Sequence, residues 1–161
     1  MSENQRNQLQ PQYFTLSPCS VYAHSHPSVI YTELMGAVSV FLYDRKLKVG
    51  GANHFRRPHI WSKKNATLEY GNVAMSALIR NLIELGGEVR NMEAQVFGGS
   101  VRNHFTFSQR RRAKKNVKAA KKYLKKMNIN VVSEDVGGNK VRKIYFNTGT
   151  NEVIVLKRDS L

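Results

Sequence analysis

Few side chains in this chain could do covalent or proton-transfer chemistry, and the most informative stand in two short segments. Thr32–Asp44 reads TELMGAVSVFLYD and Gly50–Pro58 reads GGANHFRRP. His54 in the second segment carries an imidazole, the side chain whose ordinary pKa suits proton transfer near neutral pH. Cys19 is the single thiol, so an internal disulfide framework is excluded and a reducing compartment is expected. His24 and His26 alternate along the chain and could share a strand face toward a metal. No Cys or carboxylate cluster supports such a site, so they are read as loop histidines, and His59 and His104 stand alone.

These residues need elements to position them. Tyr13–Ala23 is interrupted by Pro18 and reads as a strand, a turn and a second extended piece. Val29–Thr32, Ala37–Tyr43 and Val49–His54 read as further strands, with Asp44–Lys48 a charged turn. Ser62–Thr67 is a polar loop. Met75, Leu78, Ile79, Leu82 and Ile83 recur at spacings of three and four, one face of a helix beginning near Tyr70. Gly86-Gly87 should end it. Ala94–Phe97 is a strand closed by Gly98-Gly99. From about Ser108 to Met127, Ala113, Val117, Ala120, Leu124 and Met127 form an apolar stripe opposite a dense Lys/Arg face. Val131–Ser133 is a strand, and Lys143–Asn147 pairs with Glu152–Lys157 as a terminal hairpin. Strands at both ends with two helices inserted predict an α+β domain with mixed sheets over residues 12–161. The polar residues 1–11 are expected to form a disordered tail.

The chain has 26 Lys and Arg against 11 Asp and Glu, a formal net charge of +15. That excess calls for an acidic partner: nucleic acid, an anionic membrane surface or an acidic protein. No helix-turn-helix, zinc-finger or aromatic RNA-binding pattern accompanies it. A basic nucleic-acid- or lipid-binding adaptor is the alternative kept open on charge alone. No apolar run reaches a membrane span, and the polar start carries no signal-peptide core, so a cytoplasmic protein is expected.

The order of the motifs resembles the CheD family of bacterial chemoreceptor glutamine deamidases. That family runs Thr, two residues, Gly-Ser-Cys and a short strand ending Leu-Tyr-Asp. Here Thr32 opens the pattern and Leu42-Tyr43-Asp44 closes it. Gly50, Gly51, His54, Phe55 and Pro58 match the second motif. Tyr70-Gly71, Ala74-Met75, Phe97-Gly98-Gly99, Asp135-Val136-Gly137-Gly138 and Arg142-Lys143 extend the match to roughly residues 13–157. Leu16 and Pro18 fit the first strand, although Cys19-Ser20 replaces the family's Gly-Glu.

The resemblance implies mixed, sandwich-like β-sheets flanked by helices, and hydrolysis of glutamine side chains to glutamate with release of ammonia. It implies no cofactor and no metal. A thiolate attacks the carboxamide, a histidine handles protons and a third group orients the histidine. Carried over, His54 is the base, Thr32 the orienting group and Ala37 the position of the nucleophilic Cys. Asn53, Phe97, Gly98 and Gly99 fall on the substrate side, with Phe97 also read as core and the glycines as tight turns. Alanine cannot attack a carbonyl, and loss of the nucleophile costs on the order of 10⁶ in rate in a serine protease. Little or no deamidation is therefore expected. Met35 and Gly36 also depart from Gly-Ser, which favours natural divergence over a single made Cys→Ala change. Met35 also disfavours the positive φ that a glycine there could adopt. Ser39 and Cys19 are the substitute nucleophiles weighed, and both read better as structural residues. The implied partners are chemoreceptor cytoplasmic helices, whose adaptation regions are rich in Glu and Gln, and a CheC-type phosphatase. A place near the inner face of the membrane follows from the receptors.

Overall fold

The computed structural model describes residues 10–159, so the tail expected over 1–11 lies almost wholly outside the described residues. The strands are β1 (Gln12–Thr15), β2 (Ser20–Ala23), β3 (Ser28–Leu34), β4 (Val38–Asp44), β5 (Val49–His54), β6 (Met92–Gly98), β7 (Asn130–Val136), β8 (Lys140–Asn147) and β9 (Val153–Asp159). The helices are α1 (Gly71–Glu84) and α2 (Phe107–Lys126). One sheet has the order β1-β3-β8-β9, the other β2-β5-β4-β6-β7. Each contains one parallel pair, β1 with β3 and β6 with β7, so both are mixed. This is the α+β, sandwich-like architecture expected.

The sheets and helices form three layers, and β4 explains why. All seven of its residues are buried. Successive strand side chains point to opposite faces. Val38, Val40 and Leu42 pack with Met75, Leu78 and Leu82 of α1 and with Ala120 and Leu124 of α2. Phe41 and Tyr43 point the other way, into a second core with Ile30, Leu34, Ile144 and Phe146 of the four-stranded sheet. The five-stranded sheet is thus the middle layer, and β4, covered on both faces, reads as a near-continuous apolar run.

Local sequence sets the helix ends. Gly86 takes φ +100° just past α1. Its N–H bonds Ile83 O at 2.9 Å, and the Gly87 N–H bonds Leu82 O at 2.8 Å, a Schellman cap as the glycine pair predicts. Ile83 differs from expectation: it is 48% exposed and off the packed stripe. Helix α2 opens with a reciprocal cap between Thr106 and Gln109. Its apolar stripe is buried at Ala113, Ala120 and Leu124, but it also buries Asn116. β7 is longer than expected, and the polar loop before α1 contains a single 3₁₀ turn at Lys63–Asn65.

The turn between β3 and β4 is backed by the end of β6. Gly98 takes φ +113°, and a Cβ there would overlap the Ala37 carbonyl oxygen. Both the backbone conformation and the space therefore demand glycine. Gly98→Ala is expected to lower unfolding free energy by about 2 kcal/mol or more in urea titrations. A loss under about 0.5 kcal/mol would show that the turn yields freely.

Candidate active-site cleft

Three consecutive carbonyl groups fix the turn that carries Ala37. Met35 O accepts from the Ser100 N–H at 2.7 Å, and Ala37 O from the Gly99 N–H at 3.0 Å. Gly36 O accepts from Asn116 Nδ2 at 3.1 Å, and the same amide donates to Arg56 O at 3.0 Å. Asn116 thus ties α2 to both chain segments that flank the site. Val38 and Phe55 exchange two backbone bonds of 3.0 Å, which seats the turn against the end of β5. Behind it, buried Arg142 donates to Ser100 Oγ at 2.5 Å, to Gly137 O at 2.8 Å and to Asp135 Oδ1 at 3.1 Å. Burial acts to raise Asp135, but hydrogen bonds from Arg142 and Lys157 outweigh it and hold the carboxyl below its ordinary range.

His54 and Thr32 meet across the two sheets. Thr32 Oγ1 lies 2.8 Å from His54 Nδ1 and 3.2 Å from Leu16 O. A hydroxyl has one proton and a carbonyl only accepts. Thr32 therefore donates to Leu16 O and accepts the Nδ1–H of His54, which leaves Nε2 as the basic nitrogen. Burial, then the charge of Arg56, pulls the His54 pKa down from 6.5 to about 4. The ring is neutral at pH 7.

His54 and Ala37 both open onto a cleft of about 330 Å³. Glu33, Met35 and Gly36 line one side with Pro18. Arg56 follows His54, and Phe105 with Gln109, Arg112, Ala113 and Asn116 of α2 forms the opposite wall. The Thr32–His54–Ala37 arrangement carried over from sequence is therefore assembled in one place. Met35 makes the turn without a positive φ. A Cβ at Gly36 would meet only ordinary contacts, the nearest at 3.5 Å to Phe105.

The residues expected on the substrate side stand elsewhere. Asn53 is fully buried, accepts from the Val40 N–H at 2.9 Å and donates to Met75 Sδ at 3.3 Å. Strand alternation sends it toward the helices while His54 faces the other sheet. Phe97 packs edge-on against Phe41 in the core between the sheets. Gly98 and Gly99 support the Ala37 turn from behind. Ser39 is buried and donates to Asn53 O, away from the cleft lining. Cys19 takes φ +59°, the left-handed conformation that suits the glycine of the resembled pattern. It does not line the cleft. Among the described residues no group of three or more His, Cys, Asp or Glu could hold a metal ion.

Sequence reasoning missed Asn116 and Gln109. Asn116 carried a readable signal: it falls on the buried face, three residues after Ala113 and four before Ala120. Gln109 is engaged in the α2 cap, its Oε1 accepting from the Thr106 N–H at 2.9 Å.

A neutral histidine bonded at Nδ1 to a threonine thus borders the cleft beside Ala37, within a two-sheet α+β domain. The chain belongs to the CheD family: the family model, described as CheD chemotactic sensory transduction, matches residues 55–157. It is 36% identical over 131 residues to a protein of Sulfurimonas denitrificans, covering 80% of this chain and 83% of that relative. A protein of Vibrio cholerae serotype O1 is 34% identical over 148 residues, 86% of this chain and 62% of the relative. One of Rhodospirillum rubrum is 36% identical over 140 residues, 87% of this chain and 79% of the relative. Each of the three bears the description "Probable chemoreceptor glutamine deamidase CheD".

The low pKa of His54 has a consequence for stability. The folded pKa is about 4 and the ordinary value 6.5, so between them the unfolded chain binds a proton that the folded chain does not. The stability contributed by the neutral ring is present above pH 6.5 and is lost as pH falls toward 4. The loss is on the order of 3 kcal/mol across that window. Urea unfolding at pH 7.5 and pH 4.5 should show it, and His54→Gln should flatten that part of the dependence. An unchanged slope in His54→Gln would place the cause in other groups.

Proposed function

We propose that this chain binds the cytoplasmic helices of methyl-accepting chemoreceptors at the Ala37–His54 cleft and deamidates their glutamines slowly or not at all. The observation that carries this reading is Ala37 itself. It occupies the nucleophile position of a turn whose carbonyls, whose His54–Thr32 pair and whose facing helix are all in place. A binding surface of that kind outlasts its chemistry, because the contacts that hold the turn do not involve the missing thiol.

The names of the relatives support the substrate class, and the net charge of +15 supports an acidic partner. Most of the Lys and Arg side chains of α2 are exposed beside the cleft wall, on the same helix that supplies Arg112 and Asn116. A CheC-type phosphatase is the second protein partner proposed for this domain. Its proposed location is the cytoplasm, with the receptors beside the membrane. Among the described residues no helix is long and apolar enough to cross a membrane.

Mass spectrometry of a receptor helix fragment, read for conversion of Gln to Glu, tests the reading. The chain as it stands should give no conversion above background while still binding the fragment. Ala37→Cys should raise the rate by at least about 10³-fold. Restoring Gly-Ser-Cys at 35–37 should raise it further, since position 36 has room for a serine. Turnover by the unaltered chain equal to that of Ala37→Cys would overturn the loss of chemistry. Absence of binding would overturn the receptor assignment.

A further inference from the structure

Arginines outnumber carboxylates in the lining of the cleft. Glu33, Arg56 and Arg112 are the ionic side chains that line it. Glu33 is already engaged, accepting from Arg158 at 2.7 Å and from the Tyr31 hydroxyl at 3.3 Å. Arg56 and Arg112 take part in none of the ion pairs found among the described residues. Both line the cleft, one from the chain just after β5 and the other from α2. Arg56 follows the end of β5, two residues after His54, and its charge is felt at the imidazole. Arg112 shares one face of α2 with Gln109 and Asn116, at spacings of three and four.

Two unpaired guanidinium groups treat the two states of a glutamine side chain differently. A carboxamide is neutral and makes ordinary hydrogen bonds. A carboxylate makes charge-assisted, two-pronged bonds to arginine, roughly twice as strong. In an active relative the nucleophile would stand as a thiolate, whose charge opposes a carboxylate in the same cleft. Ala37 removes that opposition, and neutral His54 adds none.

We infer that the cleft of this chain is a carboxylate site, holding a glutamate side chain between Arg56 and Arg112 in preference to glutamine. The inference rests on the receptor-binding reading for the source of that glutamate. On that reading the chain recognises the deamidated state of a receptor helix that it does not itself produce. A small free carboxylate is the other source with the same chemistry.

Two helical receptor peptides, identical except for Gln or Glu at one central position, decide the matter when titrated calorimetrically into the full chain at fixed salt. The Glu peptide should bind about tenfold tighter. Arg112→Gln and Arg56→Gln should each weaken the Glu peptide more than the Gln peptide, cutting the preference between the two by about tenfold. Equal affinities, or a preference for Gln, would overturn the inference. Should either variant lose its fold by circular dichroism, the peptide pair on the unaltered chain still decides.

A parallel titration of propionate and propionamide into ¹⁵N-labelled chain, followed at the His54 ring and Arg112 side chain, separates the two readings. Propionate shifts with neither peptide bound would uphold the carboxylate site and remove the receptor. Both peptides bound equally, with propionate silent, would do the reverse. Silence in every arm would remove both.

Discussion

Fixation of the Met35–Ala37 turn by its three carbonyl oxygens is the constraint on which the site depends. Two elements hold the three carbonyls: the chain just after β6 holds two through backbone N–H groups, and α2 holds the third through Asn116. Ser100 is in turn held by Arg142 from β8, so the four-stranded sheet also bears on the turn. Buried polar groups of this kind are costly unless fully bonded. The turn is held through its backbone, from behind by Gly99 and Ser100 and from the cleft wall by Asn116. No hydrogen bond that holds the turn passes through the side chain at 37.

Much of the layered architecture was legible because it rests on period. The spacing of Met75, Leu78, Ile79 and Leu82 gave α1, and the glycine pair gave its Schellman end. The apolar run of β4 announced a strand covered on both faces. The Thr32 and His54 positions could be carried over because each stands at a fixed place in a motif of the resembled family, Thr32 within β3 and His54 at the end of β5. What escaped were long-range side-chain bonds. Asn116 reads as a blemish in an apolar stripe until its amide is seen bridging Gly36 and Arg56. Arg142 reads as one letter of a motif until its guanidinium is seen behind Ser100.

Two residues expected on the substrate side do not line the cleft, for one reason. Asn53 and Phe97 lie in motifs that border the site, and adjacency in sequence suggested adjacency to a ligand. In a strand, however, neighbours point to opposite faces. His54 and Asn53 are separated by the full thickness of the middle sheet's two sides: one meets Thr32, the other Met75. The positive φ of Cys19 shows the opposite case, in which a departure from the resembled pattern is absorbed by the backbone rather than by a new role.

The bond from Thr32 to Leu16 reaches beyond the histidine it orients. Leu16 follows β1, the edge strand of the four-stranded sheet, and its N–H pairs with Tyr31 O at 2.8 Å. If β1 peels away, Leu16 O no longer claims the threonine proton. Thr32 would then be free to donate to Nδ1, which would place the imidazole proton on Nε2. The tautomer of His54 is thus tied, through Thr32, to the position of Leu16 beside an edge strand. A fusion partner, a proteolytic nick or a strand borrowed from another molecule at that edge would act on the cleft without entering it.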